Sequence, residues 1–248
     1  MSDQSRPYRT AAVIPAAGRG VRLGPGAPKA LRALGGTPML IHAVRAMAAS
    51  RHVSLVVVVA PPEGAPEVRH LLDEHALPER TDFLVVPGGG TRQESVKLGL
   101  DALPEDVAVV LVHDAARPLV PVDTVDAVIE AVRDGAPAVV PALPLADTVK
   151  EVEPGAPGES EPVLSTPVRA RLRAVQTPQG FDRDTLMRAH EEVAVSGEGA
   201  TDDAGMVERL GAPVVVVPGH EEAFKVTRPL DLVLAEAVLA RRRANDGF

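Results

Sequence analysis

Two uninterrupted aliphatic runs, S-L-V-V-V-V-A at 54–60 and V-A-V-V-L-V at 107–112, constrain this chain more than any other feature. Neither alternates with polar residues, so neither suits a strand with one wet face. Each needs cover on both sides, as in a parallel sheet between two layers of helices. The neighbouring segments agree: further strands are expected at 11–15, 83–86, 136–141 and 213–217, with helices at 38–50, 64–75 and 122–134. Thr37 with Pro38 is expected to cap the first helix, and Thr91 with Glu94 the helix after the third strand. Thr201, Asp202 and Asp203 are expected to cap a late helix, and Thr227 a closing one that ends among Arg241 to Arg243.

Residues 144–169 break the pattern. Alternation near 146–152, a turn rich in Pro and Gly, and a second extended piece near 162–168 predict a β-hairpin arm. Such an arm has too little apolar surface to stand alone, so it is expected to pack on a second subunit and make a homodimer. The architecture predicted is a single α/β domain over 1–248. It is three-layered and Rossmann-like, with a mostly parallel central sheet and the 144–169 arm protruding.

Composition narrows the function. The chain has no cysteine, which removes disulfides, thiolate metal sites and a cysteine nucleophile. No apolar run approaches the roughly 20 residues that span a bilayer, and the polar start lacks a signal-peptide core, so a cytoplasmic protein is expected. A net charge of −8 argues against a nucleic-acid or membrane-surface binder. That charge is unevenly spread: residues 4–62 hold eight Arg or Lys and no acid, leaving −16 on the rest. A local cationic region on an acidic protein suits a small polyanion held in a cleft.

The first strand supplies the means. Its Ala11–Ile14 run breaks at Pro15 into a loop with glycines at 18, 20, 24 and 26 and the cations Arg19, Arg22 and Lys29. Glycines let backbone N–H groups turn toward a ligand, and Arg and Lys give charge-assisted bonds to phosphate. The dinucleotide fingerprint fails, because Leu23 takes its third glycine position and no acid lies between Asp3 and Glu63. The Walker loop fails too, because Ala30 follows Lys29 where a hydroxyl is needed. A second glycine loop, P-G-G-G-T-R-Q-E-S-V at 87–96, and H-D-A-A-R-P at 113–118 follow two later strands. Asp114, at the end of an apolar strand, is a candidate ligand for magnesium or substrate.

The pattern P-A-A-G-x-G-x-R-L with P-K beyond it resembles the signature loop of nucleotidyltransferases acting on sugar and polyol phosphates. With H-D-A-A-R-P, A-D-T-V-K, T-P-Q and F-K-V-T-R-P in order, nearly the whole chain resembles the 2-C-methyl-D-erythritol 4-phosphate cytidylyltransferase family. The resemblance implies CTP and the methylerythritol phosphate as substrates, a divalent cation such as Mg²⁺, and a CDP-alcohol and pyrophosphate as products. It implies that Arg22, Lys29 and Lys225 are the catalytic cations. Ala16, Ala17, Gly18, Gly89, Ser95 and Ala115 would contact the nucleotide, with Asp114 on the ribose and metal. Arg117 and Thr177 would face the second substrate, and Thr148 and Arg169 would reach a neighbouring subunit's substrate from the arm. Two positions depart from the family pattern: Ala30, often Gln there, and Gly90, often acidic.

The chemistry expected needs no side-chain nucleophile. A phosphate oxygen of the alcohol phosphate, ionised at pH 7, attacks the α-phosphorus of CTP, so catalysis is positioning plus charge neutralisation. A ribitol 5-phosphate cytidylyltransferase is the nearest rival. A nucleotide-binding regulatory protein without turnover is the rival of another class, disfavoured because a binder has no need of all four of Arg22, Lys29, Asp114 and Lys225.

Overall fold

The structure is a computed structural model and describes residues 9–18, 28–193 and 201–245. In chain order the strands are β1 (Arg9–Pro15), β2 (Ala33–Leu34), β3 (Thr37–Pro38), β4 (Val53–Ala60), β5 (Asp82–Pro87), β6 (Val107–Val112), β7 (Ala138–Pro144), β8 (Glu151–Val152), β9 (Val163–Ser165), β10 (Arg173–Val175), β11 (Gln179–Asp182) and β12 (Val214–Pro218). The α-helices are α1 (Met39–Ala49), α2 (Ala65–Asp73), α3 (Arg92–Asp101), α4 (Val122–Arg133), α5 (Arg183–Val193), α6 (Asp203–Arg209) and α7 (Pro229–Asn245).

The central sheet runs β12–β7–β11–β6–β1–β4–β5, with β10 beside the far end of β7. β1 pairs in parallel with both β4 and β6, β4 with β5, and β12 with β7. Only β10 and β11 run against their neighbours. The mostly parallel sheet predicted from the aliphatic runs is therefore present, with an antiparallel pair let into it.

Side chains alternate across the sheet with the period of two that a strand imposes. Ala12, Ile14, Val56 and Val58 face α1, α2 and α4, whereas Ala11, Val13, Val57 and Val59 face α3, α5 and α6. This is the three-layer arrangement. Both faces of β1 and β4 are buried, which is why those strands carry no polar alternation. Gly99 lets α3 lie close on the sheet, since a Cβ there would come 2.6 Å from Val13 Cγ1.

Several local expectations need correction. Thr37 does not cap α1; it lies in β3, and Pro38, at the N-cap position, makes no side-chain cap bond. The cause is a two-residue hairpin, with Gly35 and Gly36 both at positive φ, 58° and 82°. A Gly-Gly turn of this kind favours a hairpin, so the signal stood in A-L-G-G-T-P. Thr227 does not cap α7 by accepting a bond. Instead the Asp231 carboxylate accepts from the Thr227 and Arg228 N–H groups and from the Thr227 hydroxyl, each at 2.8 Å. These bonds hold the Asp231 carboxyl below its usual pKa. The Thr91–Glu94 capping box is present as expected.

The arm is slighter than predicted. β8 and β9 pair over only a few residues, and Val163, Leu164 and Val168 are 56–63% exposed.

Candidate active site

Parallel strands fix where the site lies. β1 sends its crossover toward β4 on one side while β6 lies on the other, so the loops after β1 and β6 diverge at their carboxyl ends. Ligands bind at such a switch point in open α/β sheets. Two adjoining hollows open there, of about 220 and 210 Å³. Pro15, Ala16, Gly18, Lys29, Ala30, Asp114, Ala115, Ala116 and Lys225 line the first. Pro15, Ala17, Gly18, Gly89, Gly90, Thr91, Arg92, Ser95 and Asp114 line the second. Pro15, Gly18 and Asp114 belong to both, so the two form one divided cleft. Among the described lining residues Asp114 is the only acid.

Each wall has a local cause. The Ala16 N–H donates to the Val59 carbonyl at 2.8 Å, which carries the β1 loop over the end of β4. Gly88 lets the second glycine loop press against the first: a Cβ there would lie 3.1 Å from the Ala17 Cβ and 3.0 Å from the Ala60 carbonyl oxygen. The Ser95 hydroxyl is buried, donates to the Thr91 carbonyl at 2.9 Å and accepts from the Gly89 N–H at 3.2 Å. It thus shapes the loop that it was expected to serve as a ligand contact. The segment carrying Lys225 is tied down by the Val226 N–H on the Ala116 carbonyl at 2.8 Å.

Asp114 is the electrostatic centre. Its Oδ2 lies 2.8 Å from Lys225 Nζ and 3.6 Å from Arg117 Nε, and its Oδ1 lies 3.9 Å from Arg92 Nε. Burial by itself would raise the pKa of this carboxyl, but Lys225, Arg92 and Arg117 outweigh it and bring the value down to about 2. Asp114 is thus ionised at neutral pH.

Its backbone is held by a directed relay. The Asp114 N–H donates to Thr177 Oγ1 at 3.0 Å, and that hydroxyl lies 3.0 Å from His113 Nδ1. His113 Nε2 lies 3.1 Å from the Arg117 carbonyl. A carbonyl only accepts, so Nε2 carries the proton and Nδ1 accepts from Thr177. Burial pushes His113 down to about 4, which keeps the ring neutral, and the Arg117 carbonyl fixes the tautomer.

Lys29, Lys225 and Asp114 therefore share the hollow expected of them, with Ala16, Ala17, Gly18, Gly89, Ser95 and Ala115 around them. Arg22 lies outside the described residues. Two further residues expected to contact substrate sit beside Asp114 with partners of their own in the chain. Arg117, expected to face the second substrate, is buried beneath Asp114, with its guanidinium donating to the Ala223 carbonyl at 2.7 Å and the Val175 carbonyl at 3.3 Å. Thr177, expected as a substrate contact, is buried and engaged in the relay. Thr148 and Arg169 are exposed on the arm and line neither hollow, and Arg169 donates to the Ala146 carbonyl at 2.6 Å.

Arg92 was not among the residues expected at the site, although it stands in the glycine-loop motif. Asp203 was expected to share in capping the late helix. Asp202 alone does the capping, its Oδ1 accepting from the Gly205 N–H at 2.9 Å, while Asp203 is fully buried.

The comparisons agree with the geometry. The family model described as 2-C-methyl-D-erythritol 4-phosphate cytidylyltransferase matches residues 10–241. A protein of that name from Streptomyces avermitilis is 83% identical, covering 100% of both chains. One from Frankia casuarinae is 57% identical over 94% of this chain and 82% of the relative. Among solved structures, the enzyme of that name from Thermus thermophilus is 36% identical, with a TM-score of 0.71 over 92% of this chain and 97% of that one. The 4-diphosphocytidyl-2C-methyl-D-erythritol synthase from Anaerococcus prevotii gives a TM-score of 0.80 at 27% identity, over 94% and 99%. With a match of this extent over a cleft of this composition, the chain belongs to the 2-C-methyl-D-erythritol 4-phosphate cytidylyltransferase family.

Proposed function

We propose that this chain transfers a cytidylyl group from CTP to 2-C-methyl-D-erythritol 4-phosphate, giving 4-diphosphocytidyl-2-C-methyl-D-erythritol and pyrophosphate in isoprenoid precursor synthesis. Family membership supports the reaction. The observation that carries it on this chain is the meeting of Lys29 and Lys225, from opposite ends of the sequence, in one hollow beside Asp114.

In the reaction a phosphate oxygen of the alcohol phosphate attacks the α-phosphorus of CTP. The bond from that phosphorus to the bridging oxygen of the leaving group breaks, and pyrophosphate departs with the electron pair. The protein has no covalent step to perform. Its task is to bring two polyanions together in line and neutralise the charge that builds on the oxygens around phosphorus. Lys29 and Lys225 supply positive charge in the phosphate hollow. The Ala16–Gly18 backbone and the Gly89 loop form the nucleotide wall, and a Cβ at Gly18 would meet nothing within 4 Å among the described residues, which leaves room for close approach. Asp114, its Oδ2 2.8 Å from Lys225 Nζ, keeps that lysine aimed into the hollow.

A divalent cation such as Mg²⁺ fits this donor set as a shared ligand. Asp114 is the residue that would hold it, since among the described residues the cation paired with its Oδ1 is Arg92, at 3.9 Å. Among the described residues no group of three His, Asp or Glu could hold an ion alone, so substrate phosphate oxygens would complete its shell, as magnesium sites commonly allow. Bound there, the ion would neutralise charge on the triphosphate. The exposed arm supports a homodimer in which Thr148 and Arg169 serve the partner's cleft. Among the described residues no helix is long and apolar enough to cross a membrane, and water-borne polyanionic substrates favour a cytoplasmic setting.

The test is pyrophosphate release from CTP and Mg²⁺ with methylerythritol phosphate or ribitol 5-phosphate offered separately. Turnover with the first and little with the second is expected; faster turnover of ribitol phosphate would reassign the substrate, and none with either would remove the activity.

A further inference from the structure

A chain of charges runs from a buried His190–Asp203 pair through the half-exposed Arg92 to the cleft. His190 Nε2 on α5 lies 3.1 Å from Asp203 Oδ1 at the start of α6, and both side chains are at most 1% exposed. Asp203 Oδ2 lies 2.8 Å from Arg92 Nη1 at the start of α3, and Arg92 Nε reaches to 3.9 Å from Asp114 Oδ1. One guanidinium thus stands between two carboxylates, held by the outer one and only approached by the inner one.

The helix does not require Asp203, because Asp202 caps it. Taking a carboxylate fully out of water is costly unless it is paired, so its placement has to be sought in what it pairs with. Its partner Arg92 lines the hollow that also contains Gly89, Gly90, Ser95 and Ala17. Without the negative charge of Asp203, the nearest anion to Arg92 would be Asp114. Arg92 would then close on the one acid that both hollows share, and leave the wall opposite Ala17.

We propose that Asp203 is a positioning residue for nucleotide binding: it holds Arg92 on the wall of the glycine-loop hollow and away from Asp114, with His190 as the buried clasp on its other oxygen. The carboxylate accepts, so the proton of the clasp sits on His190 Nε2. The inference rests on the reading above that this hollow takes the nucleotide. It predicts an effect on one substrate and not the other, which a merely structural role would not give.

The experiment uses the full chain and the variants Asp203→Asn, Arg92→Gln and the double variant, with steady-state kinetics in both substrates and equilibrium titration with CTP. Asp203→Asn and Arg92→Gln are each expected to raise KM for CTP and weaken CTP binding about tenfold, while KM for the alcohol phosphate changes by less than about twofold. Because Asp203 acts through Arg92, the double variant should be no worse than Arg92→Gln alone. Additive losses in the double variant, or equal changes for both substrates, would overturn the proposal. If Asp203→Asn does not fold, Arg92→Gln still decides: unchanged CTP binding in that variant sinks the idea. A wild-type chain that binds CTP without turnover would fault the assigned reaction, and the CTP titrations would then decide the role of Asp203 by themselves.

Discussion

The cleft around Asp114 and the arm at 144–169 are built in opposite ways. In the cleft, one carboxylate at 13% side-chain exposure is approached by three cations, and its backbone is tied through Thr177 to a fully buried His113. Asp114 is held there by groups on other elements, Lys225 and Thr177 among them. The arm is a short ladder between β8 and β9, tied by bonds between exposed side chains such as Lys150 to Thr166 at 2.7 Å and Ser165 to Glu151 at 2.6 Å. Its Val163, Leu164 and Val168 stay more than half exposed among the described residues. The difference teaches that two kinds of residue can share one sequence signature. Some are fixed by the chain they belong to, and others stand ready for a surface the chain does not itself provide.

The strongest way to break this contrast is at the lysines. Lys225→Ala, and equally Lys29→Ala, should lower kcat at least about a hundredfold, roughly 3 kcal/mol of barrier, with the melting temperature little changed. Near-normal turnover in purified Lys225→Ala would mean that the cleft is not the site of reaction.

The relay behind Asp114 should be felt in stability as well. Thr177→Val keeps the shape but leaves the Asp114 N–H and His113 Nδ1 without partners, which should cost about 1–3 kcal/mol in urea unfolding. A variant as stable as the wild type would show that the relay holds nothing.

Acid titration sharpens the same comparison. His113 is lowered from 6.5 to about 4 in the folded chain. Between those values the unfolded chain binds a proton that the folded chain refuses, so stability should fall as pH drops from 6.5 toward 4. Asp114 acts lower down: its folded value of about 2 lies below the ordinary 3.8, so its contribution is present above 3.8 and lost as pH falls through 2. His113→Asn should flatten the upper slope in urea titrations at several pH values. An unchanged slope would rule out His113 as its source.

The arm should give the smallest change in folding and a visible change in assembly. Leu164→Ser removes an exposed side chain, so unfolding should move by no more than about 0.5 kcal/mol. Sedimentation should nevertheless shift toward the monomer. Unaltered association at low concentration would show that the arm is not the dimer contact.

How much was legible follows from the same physics. The aliphatic runs of β4 and β6 could be read as buried parallel strands because only such strands tolerate both faces apolar. The glycine loops and Asp114 could be read because motif spacing and chain direction place them at strand ends. Arg92 and Asp203 could not be paired by reading along the chain, since α3 and α6 meet only through tertiary packing. Arg117 and Thr177 illustrate the converse: motif membership marked them as near the site, but no motif states that both are buried and bonded to groups of their own chain. The Gly35–Gly36 hairpin was in plain view and was overridden by the neighbouring Thr-Pro pair.

That hairpin has a further consequence. The Gly35 N–H donates to Glu236 at 2.8 Å, and Arg243 donates to the Gly35 carbonyl at 3.1 Å, so α7 clasps the chain just after Lys29. Lys225 stands just ahead of that helix. The last helix to be made is therefore a brace that ties the segment after one cleft lysine to the segment after the other, although it lines neither hollow itself.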